Sequence, residues 1–376
     1  MSRVVVVGAG PAGMAAAVCA AEGGQQVTLI DDNPAPGGQI WRGGADSDWF
    51  RRLESVRVAR MQGARVVAAE DHTLVVELAG RVARVTWDKL ILATGARERF
   101  VPFPGWTLPG VLGAGGIQAL VKSGLDVRGR RIVVAGSGPL LLAVAELLRK
   151  HGARVLRVAE QAPAARVRRF ALKLAMNKLW RGIGLRLGSP YSTDCWVEEA
   201  QPGRVRLNRG GWIDCDLAAV GFGLVPNTEL AELVDTSAIL AGECNGIGGV
   251  EKSLLEGQIA GHTVAGNHDE VKRLRPAHQA ALRFVKLLDE TFALRDELRT
   301  LAGPGTVVCR CENVARGRLD GLPSWRYAKL HTRCGMGPCQ GRMCGPAVEF
   351  LYNWRPDSVR PPVMPARVGT LMGGNQ

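Results

Sequence analysis

The stretch Val4-Val5-Val6-Val7-Gly8-Ala9-Gly10-Pro11-Ala12-Gly13 decides the fold of this 376-residue chain. Its four valines form the short apolar run that is typical of a buried parallel strand. The three glycines that follow predict a tight turn, a close approach of backbone to a pyrophosphate, and tight helix–strand packing. A helix is predicted over 14–22, so its free N–H groups and positive dipole end face that turn. The stretch therefore predicts the phosphate-binding start of a dinucleotide-binding fold.

A carboxylate follows at the distance that such a fold needs. A second strand is predicted over 26–30, and it ends at Asp31, 23 residues after Gly8. An acid at the end of the second strand accepts hydrogen bonds from both ribose hydroxyls of an adenine dinucleotide. Strand, glycine turn, helix, strand and acid are all present, which favours a nucleotide site over a merely structural glycine turn.

A second copy of this pattern occupies residues 131–160. Its strand leads into Gly136 and Gly138, and its next strand, over 153–159, ends at Glu160. The third glycine position holds Leu141, which is expected to push the helix away from the strand and to narrow the space for a dinucleotide. Two interpretations stay open: a site for NAD or ATP, or a retained fold with impaired binding. The acid disfavours a 2′-phosphate and therefore NADP.

Two further segments complete the nucleotide-binding pattern. An apolar strand over 89–93 ends in Thr94 and Gly95, and a late strand over 239–241 enters a glycine-rich turn with Glu243. A helix is predicted to follow, over 250–261. Such a turn suits the far end of an extended dinucleotide, where the carboxylate would accept a bond from a ribityl hydroxyl. A surface acid in a glycine loop is the alternative.

The net charge of +13 comes from 48 Lys and Arg against 35 Asp and Glu, and it is uneven. Residues 149–209 hold 14 basic and 4 acidic residues, and residues 269–376 hold 17 and 10. No zinc-finger, basic-zipper or RNA-binding signature accompanies this charge, so we expect no nucleic-acid partner. We interpret the uneven positive charge as a surface that docks a partner subunit, an anionic carrier or phosphates. A solvated Arg-rich face is the alternative.

No apolar run approaches the roughly 18 residues that cross a bilayer, so no transmembrane segment is expected. The first residues form a strand rather than a signal peptide. The expected location is therefore the cytoplasm, with peripheral attachment at the inner face of the cell membrane left open.

Five of the nine cysteines fall within the 36 residues 309–344. In a cytosolic protein such a cluster favours a metal site over disulfides. Thiolates are the ligands of iron–sulfur clusters, and four suffice for [2Fe–2S], whereas zinc is the alternative. Spacing alone does not choose among the five, because four residues separate both Cys334 from Cys339 and Cys339 from Cys344.

The glycine motifs, together with Pro36-Gly37-Gly38-Gln39-Ile40-Trp41-Arg42 and Ala93-Thr94-Gly95-Ala96, resemble those of the two-dinucleotide-domain flavoproteins. The segments 308–314 and 332–344 are similar to the bacterioferritin-associated ferredoxin-like [2Fe–2S] module. With 219–227 added, nearly the whole chain resembles the alpha subunits of multi-subunit amine and imino-acid dehydrogenases. These include opine oxidases, hydrogen cyanide synthase, and proline or D-hydroxyproline dehydrogenases.

The resemblance implies cofactors and their residues. FAD would lie in the first domain and contact Gly8, Gly10, Pro11, Ala12, Gly13, Asp31, Asp32, Gly38, Gln39, Arg42, Thr94, Gly95, Gly242, Glu243, Gly248 and Gly249. Most relatives of this wider kind have Gly-Asp where this chain has Gly242-Glu243. The implied cluster ligands are Cys309, Cys311, Cys339 and Cys344, with Cys334 as a substitute. FMN at a subunit interface is a further implied cofactor.

The resemblance also implies a role. A beta subunit of the D-amino-acid-oxidase type would oxidise the amine or imino acid, and a further partner would be a small iron–sulfur subunit. This chain would relay the electrons to a quinone or another carrier. A self-contained NAD(P)H reductase and a non-catalytic nucleotide-binding scaffold are the alternatives. No acid–base pair for amine oxidation stands out, so the catalytic residues stay unknown.

The expected architecture is α/β, with two Rossmann-like dinucleotide-binding domains and a small C-terminal iron–sulfur domain. The expected divisions are an FAD domain at 1–127 and 229–266, a second nucleotide-binding-like domain at 128–228, a helical connector at 267–302, the iron–sulfur domain at 303–354, and an extended tail at 355–376.

Overall fold

In the computed structural model the valine-rich run Arg3–Val7 forms a strand, as predicted, and it pairs in parallel with Gln26–Asp31 on one side and with Lys89–Leu92 on the other. The structure describes residues 1–44, 47–176, 190–234, 238–356 and 358–372. Residues 177–189 of the basic stretch and the end of the tail thus lie outside the described residues. The strands are β1 (Arg3–Val7), β2 (Gln26–Asp31), β3 (Val58–Gln62), β4 (Ala64–Glu70), β5 (Thr73–Leu78), β6 (Arg81–Thr86), β7 (Lys89–Leu92), β8 (Ala96–Glu98), β9 (Val111–Gly113), β10 (Arg131–Gly136), β11 (Arg154–Glu160), β12 (Tyr191–Ser192), β13 (Val197–Gln201), β14 (Arg204–Leu207), β15 (Gly211–Asp214), β16 (Leu217–Gly221), β17 (Leu224–Pro226), β18 (Ile239–Leu240), β19 (Val307–Cys309) and β20 (Val314–Ala315).

Three of the helices begin directly after the glycine-rich turns. They are α1 (Pro11–Glu22), α2 (Asp48–Ser55), α3 (Ala114–Lys122), α4 (Leu140–Lys150), α5 (Ala164–Met176), α6 (Gly249–Ala265), α7 (His268–Phe292), α8 (Trp325–Thr332), α9 (Cys344–Tyr352) and α10 (Val368–Leu371). Helix α1 begins earlier than the predicted residue 14, because the fixed φ of Pro11 suits a first helical position. None of the described helices is long and apolar enough to cross a membrane.

The chain divides into two units. The first comprises Met1–Arg97, Val225–Val285 and Ser358–Gln376. Its parallel sheet has the order β18-β7-β1-β2-β3, and α1 packs with α6 over a core of small side chains. Strands β4, β5 and β6 form a separate antiparallel sheet.

The tail lies on this second sheet of the first unit. The N–H of Val363 donates to the carbonyl of Val67 at 2.8 Å, and the Thr370 hydroxyl donates to Glu77 at 2.8 Å. The tail is not wholly extended, since α10 forms one helical turn within it.

The second unit comprises Glu98–Leu224 and Lys286–Asp357. Its parallel sheet has the order β12-β11-β10-β16-β9, beside the antiparallel sheet β13-β14-β15. The two parallel sheets confirm the α/β class with Rossmann-like domains. A small cluster of buried residues around Trp325, Cys309, Cys334 and Cys344 forms the core of the cysteine-rich end.

Candidate functional site

The first glycine turn leaves no room for larger residues. A Cβ on Gly13 would lie 1.7 Å from the carbonyl oxygen of Gly8, and one on Gly38 would lie 3.0 Å from Cα of Gly10. The loop that carries Gly38 is tied to this turn, since the N–H of Gly37 donates to the carbonyl of Ala9 at 2.7 Å. Helix α1 begins there at Pro11, so Ala12 and the start of the helix face the same turn. These residues form a cradle that suits a phosphate group.

Asp31 lies at the end of β2 beside this turn and is 7% exposed. One of its carboxylate oxygens accepts the N–H of Ala9, and the other accepts the N–H of Asn33 at 2.6 Å. Asp32 instead faces the surface and forms an ion pair with Arg65 at 3.1 Å. Asp31 therefore belongs to the turn, whereas Asp32 makes a surface contact.

Arg42 and Gln39 lie on the same side as Asp31. Arg42 donates to Oδ1 of Asn33 at 2.8 Å and to Oε1 of Gln39 at 3.2 Å. Asn33 in turn donates from its side chain to Asp31 at 2.8 Å. A chain of hydrogen bonds thus joins the loop residues to the strand-end acid.

Thr94 and Gly95 close the other side of the turn. The Thr94 hydroxyl donates to the carbonyl of Asn227 at 2.7 Å, and the N–H of Asn227 donates to the carbonyl of Gly95 at 3.0 Å. The preceding residue, Ala93, has its carbonyl 2.2 Å from where a Cβ of Gly8 would be. The structure therefore brings together the turn residues of β1 and β7 that the sequence predicts.

The surroundings of Glu243 suit a flavin dinucleotide. Its Oε1 atom accepts the N–H of Gly248 at 3.1 Å and that of Gly249 at 2.6 Å, at the start of α6. Its Oε2 atom is buried and has no hydrogen-bond partner among the residues that the structure describes. A buried carboxylate oxygen without a donor is costly unless a ligand supplies one. A ribityl hydroxyl would be such a donor, so the longer Glu in place of Asp fits this role.

A buried lysine network lies behind this loop, and the sequence reasoning missed it. The ammonium group of Lys252 donates to the carbonyls of Gly242, Asn245 and Gly246 at 2.8–3.1 Å, and to Glu256 at 2.9 Å. The only sequence signal is the i,i+4 spacing of the two charged residues on a helix, which usually marks an exposed pair.

The second nucleotide-like turn is arranged differently. Glu160 ends β11 but is fully buried, and its two oxygens accept the N–H groups of Gly138 at 2.7 Å and Ala162 at 2.8 Å. Burial raises the pKa of Glu160 to about 7, although these N–H groups favour its charged form. Leu141 is completely buried in the core. The acid is thus close to Gly136 and Gly138, but it is not exposed to a ribose.

The chain after α7 covers this second turn. The buried amide of Gln161 donates to the carbonyl of Ala293 at 3.2 Å and accepts the N–H of Arg295 at 3.2 Å. The Ser137 hydroxyl donates to the carbonyl of Phe292 at 2.9 Å. Helix α7, which lies in the helical connector expected at 267–302, therefore ends at Phe292, because residues 293–295 bond to Gln161 instead of continuing the helix.

Three of the five clustered cysteines converge. The Sγ atoms of Cys309, Cys334 and Cys344 all lie within 4.8 Å of one another, and all three residues are buried. Hydrogen bonds from Cys334 and Cys344 lower the pKa of Cys309 to about 2. A thiolate flanked by two thiols is a donor set that suits a thiophilic metal.

The remaining two clustered cysteines are neighbours of each other. Cys311 is exposed and shares backbone and side-chain hydrogen bonds with Cys339. A Cβ on Gly337 would lie 2.3 Å from Cβ of Cys311, so only glycine permits this approach of the 335–341 loop. All five thiols therefore lie on one small module, with Cys334 nearer to the buried pair than the resemblance implies.

The comparisons with known proteins agree with this geometry. Residues 2–252 match the family described as pyridine nucleotide-disulphide oxidoreductase. The chain belongs to this family. It is 32% identical to the HcnB component of hydrogen cyanide synthase from Pseudomonas protegens, over 90% of this chain and 89% of that one. It is 31% identical to an opine oxidase subunit of Rhizobium meliloti, over 98% and 97% of the two chains.

A solved structure supports the fold. The crystal structure of L-proline dehydrogenase from P. horikoshii superposes with a TM-score of 0.73 at 17% identity, covering 98% of this chain and 79% of that one. The family match and the two relatives together identify the chain as a flavin-dependent oxidoreductase. FAD is the cofactor that the family implies.

Proposed function

We propose that this chain is the FAD- and [2Fe–2S]-containing electron-transfer subunit of a heteromeric dehydrogenase. A partner subunit of the D-amino-acid-oxidase type oxidises an amine or imino acid of the opine, proline, hydroxyproline or glycine type. This chain then relays the electrons to an acceptor. Two relatives support this assignment, because the HcnB component of hydrogen cyanide synthase and the opine oxidase protein are both named as subunits of larger enzymes.

One observation carries the proposal: the second nucleotide-like turn is occupied by the chain itself. Both oxygens of Glu160 are bonded to backbone N–H groups, and the side chain of Gln161 is tied to residues 293–295. Asp31 also accepts two backbone N–H groups, but it keeps 7% exposure, whereas Glu160 has none. Residues 292–295 cover the turn of Glu160, so a dinucleotide ribose would have to displace that segment. The electrons are therefore expected from a partner subunit rather than from NADH.

The first unit supplies the flavin-binding residues. The cradle around Gly10, the fixed Asp31 and the unpartnered Oε2 of Glu243 support FAD binding there. FAD accepts two electrons from organic substrates when bound, and this chain contributes the residues that hold its pyrophosphate, ribose and ribityl groups. The resemblance implies that Asp32 contacts FAD as well, but its side chain faces the surface and pairs with Arg65, so any contact with the cofactor would be made at the surface of the unit.

The cysteine module supplies the thiolates for one-electron transfer. We assign Cys309, Cys311, Cys339 and Cys344 as ligands of a [2Fe–2S] cluster, with Cys334 as the substitute. The buried group of Cys309, Cys334 and Cys344 supports thiolate ligation but also brings the fifth cysteine close. Because only three of the five thiols form this buried group, the ligand set can be tested residue by residue.

A self-contained NAD(P)H reductase is the second candidate, because the family is named for pyridine nucleotides and the second Rossmann-like sheet is intact. The covered turn and the buried Leu141 weigh against it. A non-catalytic scaffold is the third candidate. The residues suited to hold FAD and the clustered thiols suited to hold a metal weigh against it.

One experiment separates the three candidates. The full chain is purified by itself and after co-expression with candidate beta subunits of the D-amino-acid-oxidase type, and each sample is mixed anaerobically with NADH or with a panel of amines and imino acids. Bleaching of the flavin by an amine in the complex alone is the expected result. Bleaching by NADH in the lone chain would favour the reductase, and a colourless protein would favour the scaffold.

A further inference from the structure

A cavity of about 130 Å³ in the second unit lies beside the cysteine module. Most of its lining residues are apolar and three of them are aromatic, and among the described residues that line it Arg310 is the charged one. The lining side chains that matter here are those of Phe100, Phe103, Trp106, Val111, Val220 and Arg310.

This cavity is tied to the cluster-binding strand by sequence and by a hydrogen bond. Arg310 lines the cavity and is the residue between Cys309 and Cys311, so one wall of the cavity belongs to the segment that carries two of the thiols. The indole N–H of Trp106 donates to the carbonyl of Val307 at 2.6 Å, two residues before Cys309. The cavity wall and the thiol-bearing strand are thus parts of one packed structure.

The size of the cavity limits its ligand to about one six-membered ring. An apolar cavity of roughly 150 Å³ is known to bind benzene. A three-ring flavin or a dinucleotide is too large for a space of about 130 Å³. The cavity is partly open to solvent, so a substituent on the ring can extend outwards.

The polarity of the lining selects among one-ring ligands. An amino or imino acid carries a cationic nitrogen, which needs an acceptor, and no carboxylate belongs to the described residues that line the cavity. A benzoquinone has only acceptor oxygens, which an arginine guanidinium can bind as donor and whose developing negative charge it can stabilise.

We propose that this cavity is a binding site for the headgroup of a benzoquinone, the electron acceptor of the relay. The inference rests on the proposed function for its source of electrons. The quinone takes up two electrons, one at a time, from the reduced protein and two protons from water at the open mouth, which gives the hydroquinone. Arg310 binds the quinone oxygen, and the aromatic walls hold the ring.

The test uses the full chain with an azido-substituted benzoquinone as the probe, followed by peptide mapping of the photolabel. We expect the label in residues 100–113 or at Arg310, and we expect excess decylubiquinone to suppress it. A label elsewhere, or suppression by proline rather than by decylubiquinone, would overturn the assignment.

Variants sharpen this test. Val111→Trp fills the cavity from β9 and should abolish labelling, whereas Arg310→Gln should weaken decylubiquinone binding on the order of tenfold, as expected for loss of a charge-assisted hydrogen bond. Arg318→Gln removes an exposed arginine of the same module outside the cavity lining and is the matched control. The visible spectrum of each variant checks that the module has folded.

Failure of this inference can be told apart from failure of the proposed function. If amines reduce the complex but the Val111→Trp chain binds quinone normally, the cavity assignment is wrong and the relay stands. If the label maps to the cavity but amines never reduce the complex, the binding site stands and the relay is wrong.

Discussion

The ammonium nitrogen of Lys252 lies 2.9 Å from Oε2 of Glu256, and the two side chains are only 1% and 5% exposed. This pair is buried against the backbone of residues 242–246, which carries Glu243. Glu256 also accepts the N–H of Gly242 at 2.9 Å, and Nε2 of His278 lies 3.0 Å from its other oxygen. The charges are therefore compensated, and the network fixes the loop whose acid has an unpartnered oxygen.

Removing the lysine should destabilise the first unit. Lys252→Met leaves Glu256 as a buried carboxylate without its cation, which costs about 3 kcal/mol or more in comparable sites. We expect the free energy of unfolding in urea to fall by that amount and flavin retention to fall with it.

Lys272→Met is the matched control, because Lys272 is exposed and lies 3.7 Å from an exposed aspartate. Such surface pairs contribute about 0–1 kcal/mol. The double variant Lys252→Met/Glu256→Gln should recover part of the loss, since it removes the unpaired charge. Equal stability of the Lys252 and Lys272 variants would contradict the role of the buried pair.

Glu243→Gln tests the flavin assignment directly. Glutamine keeps an oxygen for the N–H groups of Gly248 and Gly249 but replaces the unpartnered Oε2 by an NH₂ group, which cannot accept a ribityl hydroxyl. The dissociation constant for FAD, measured by flavin fluorescence, should rise by about tenfold.

Glu251→Gln is the control for that measurement, because Glu251 is exposed in the first turn of the same helix. Its FAD affinity should match that of the parent chain. Unchanged affinity in Glu243→Gln would mean that the carboxylate only caps the start of α6.

The first nucleotide fold could be predicted from the sequence because local rules determine it. The runs before Gly8 and before Asp31 read as strands, and the glycine spacing places the turn, so the strand-end acid lies where expected. These features need only contacts between neighbouring elements of one βαβ unit.

The contacts missed from the sequence depend on long-range packing. The side chain of Gln161 accepts the N–H of Arg295, 134 residues away, and α7 ends just before this contact, within the connector that the sequence predicts to be helical to residue 302. Glu160 matches the ribose-binding pattern, yet its carboxylate is buried, because a later segment covers the turn. A sequence pattern places an acid at the end of a strand, but it does not show what covers that acid.

Glu160 should also make stability depend on pH. Its pKa is raised from 4.5 to about 7 by burial, so the folded chain holds the proton more tightly than the unfolded chain. The stabilising contribution is complete below about pH 4.5, and it is lost as the pH rises towards 7. The shift corresponds to a loss of about 3 kcal/mol.

The measurement compares urea unfolding of the parent chain and Glu160→Gln between pH 4.5 and pH 8. The free energy of unfolding of the parent should fall relative to the variant across this window and then level off. Glu146→Gln, which changes an exposed acid on α4, should track the parent at every pH. A constant difference between parent and Glu160→Gln would show that the carboxylate is charged throughout.

The cysteine substitutions decide between two ligand sets that share Cys309 and Cys344. Cys334 lies in the buried trio within 4.8 Å of both, whereas Cys339 is a neighbour of the exposed Cys311. Serine is a poorer ligand than a thiolate for iron. If the cluster uses Cys311 and Cys339, Cys334→Ser keeps the visible absorption spectrum and Cys339→Ser loses it.

The opposite pattern would place the metal in the buried trio, because only then does removal of Cys334 break a ligand bond. Elemental analysis of the same samples separates iron from zinc, since a zinc site would be colourless in every variant. A [2Fe–2S] cluster should give two iron atoms per chain, and its loss in Cys339→Ser should be accompanied by loss of the colour and of both irons.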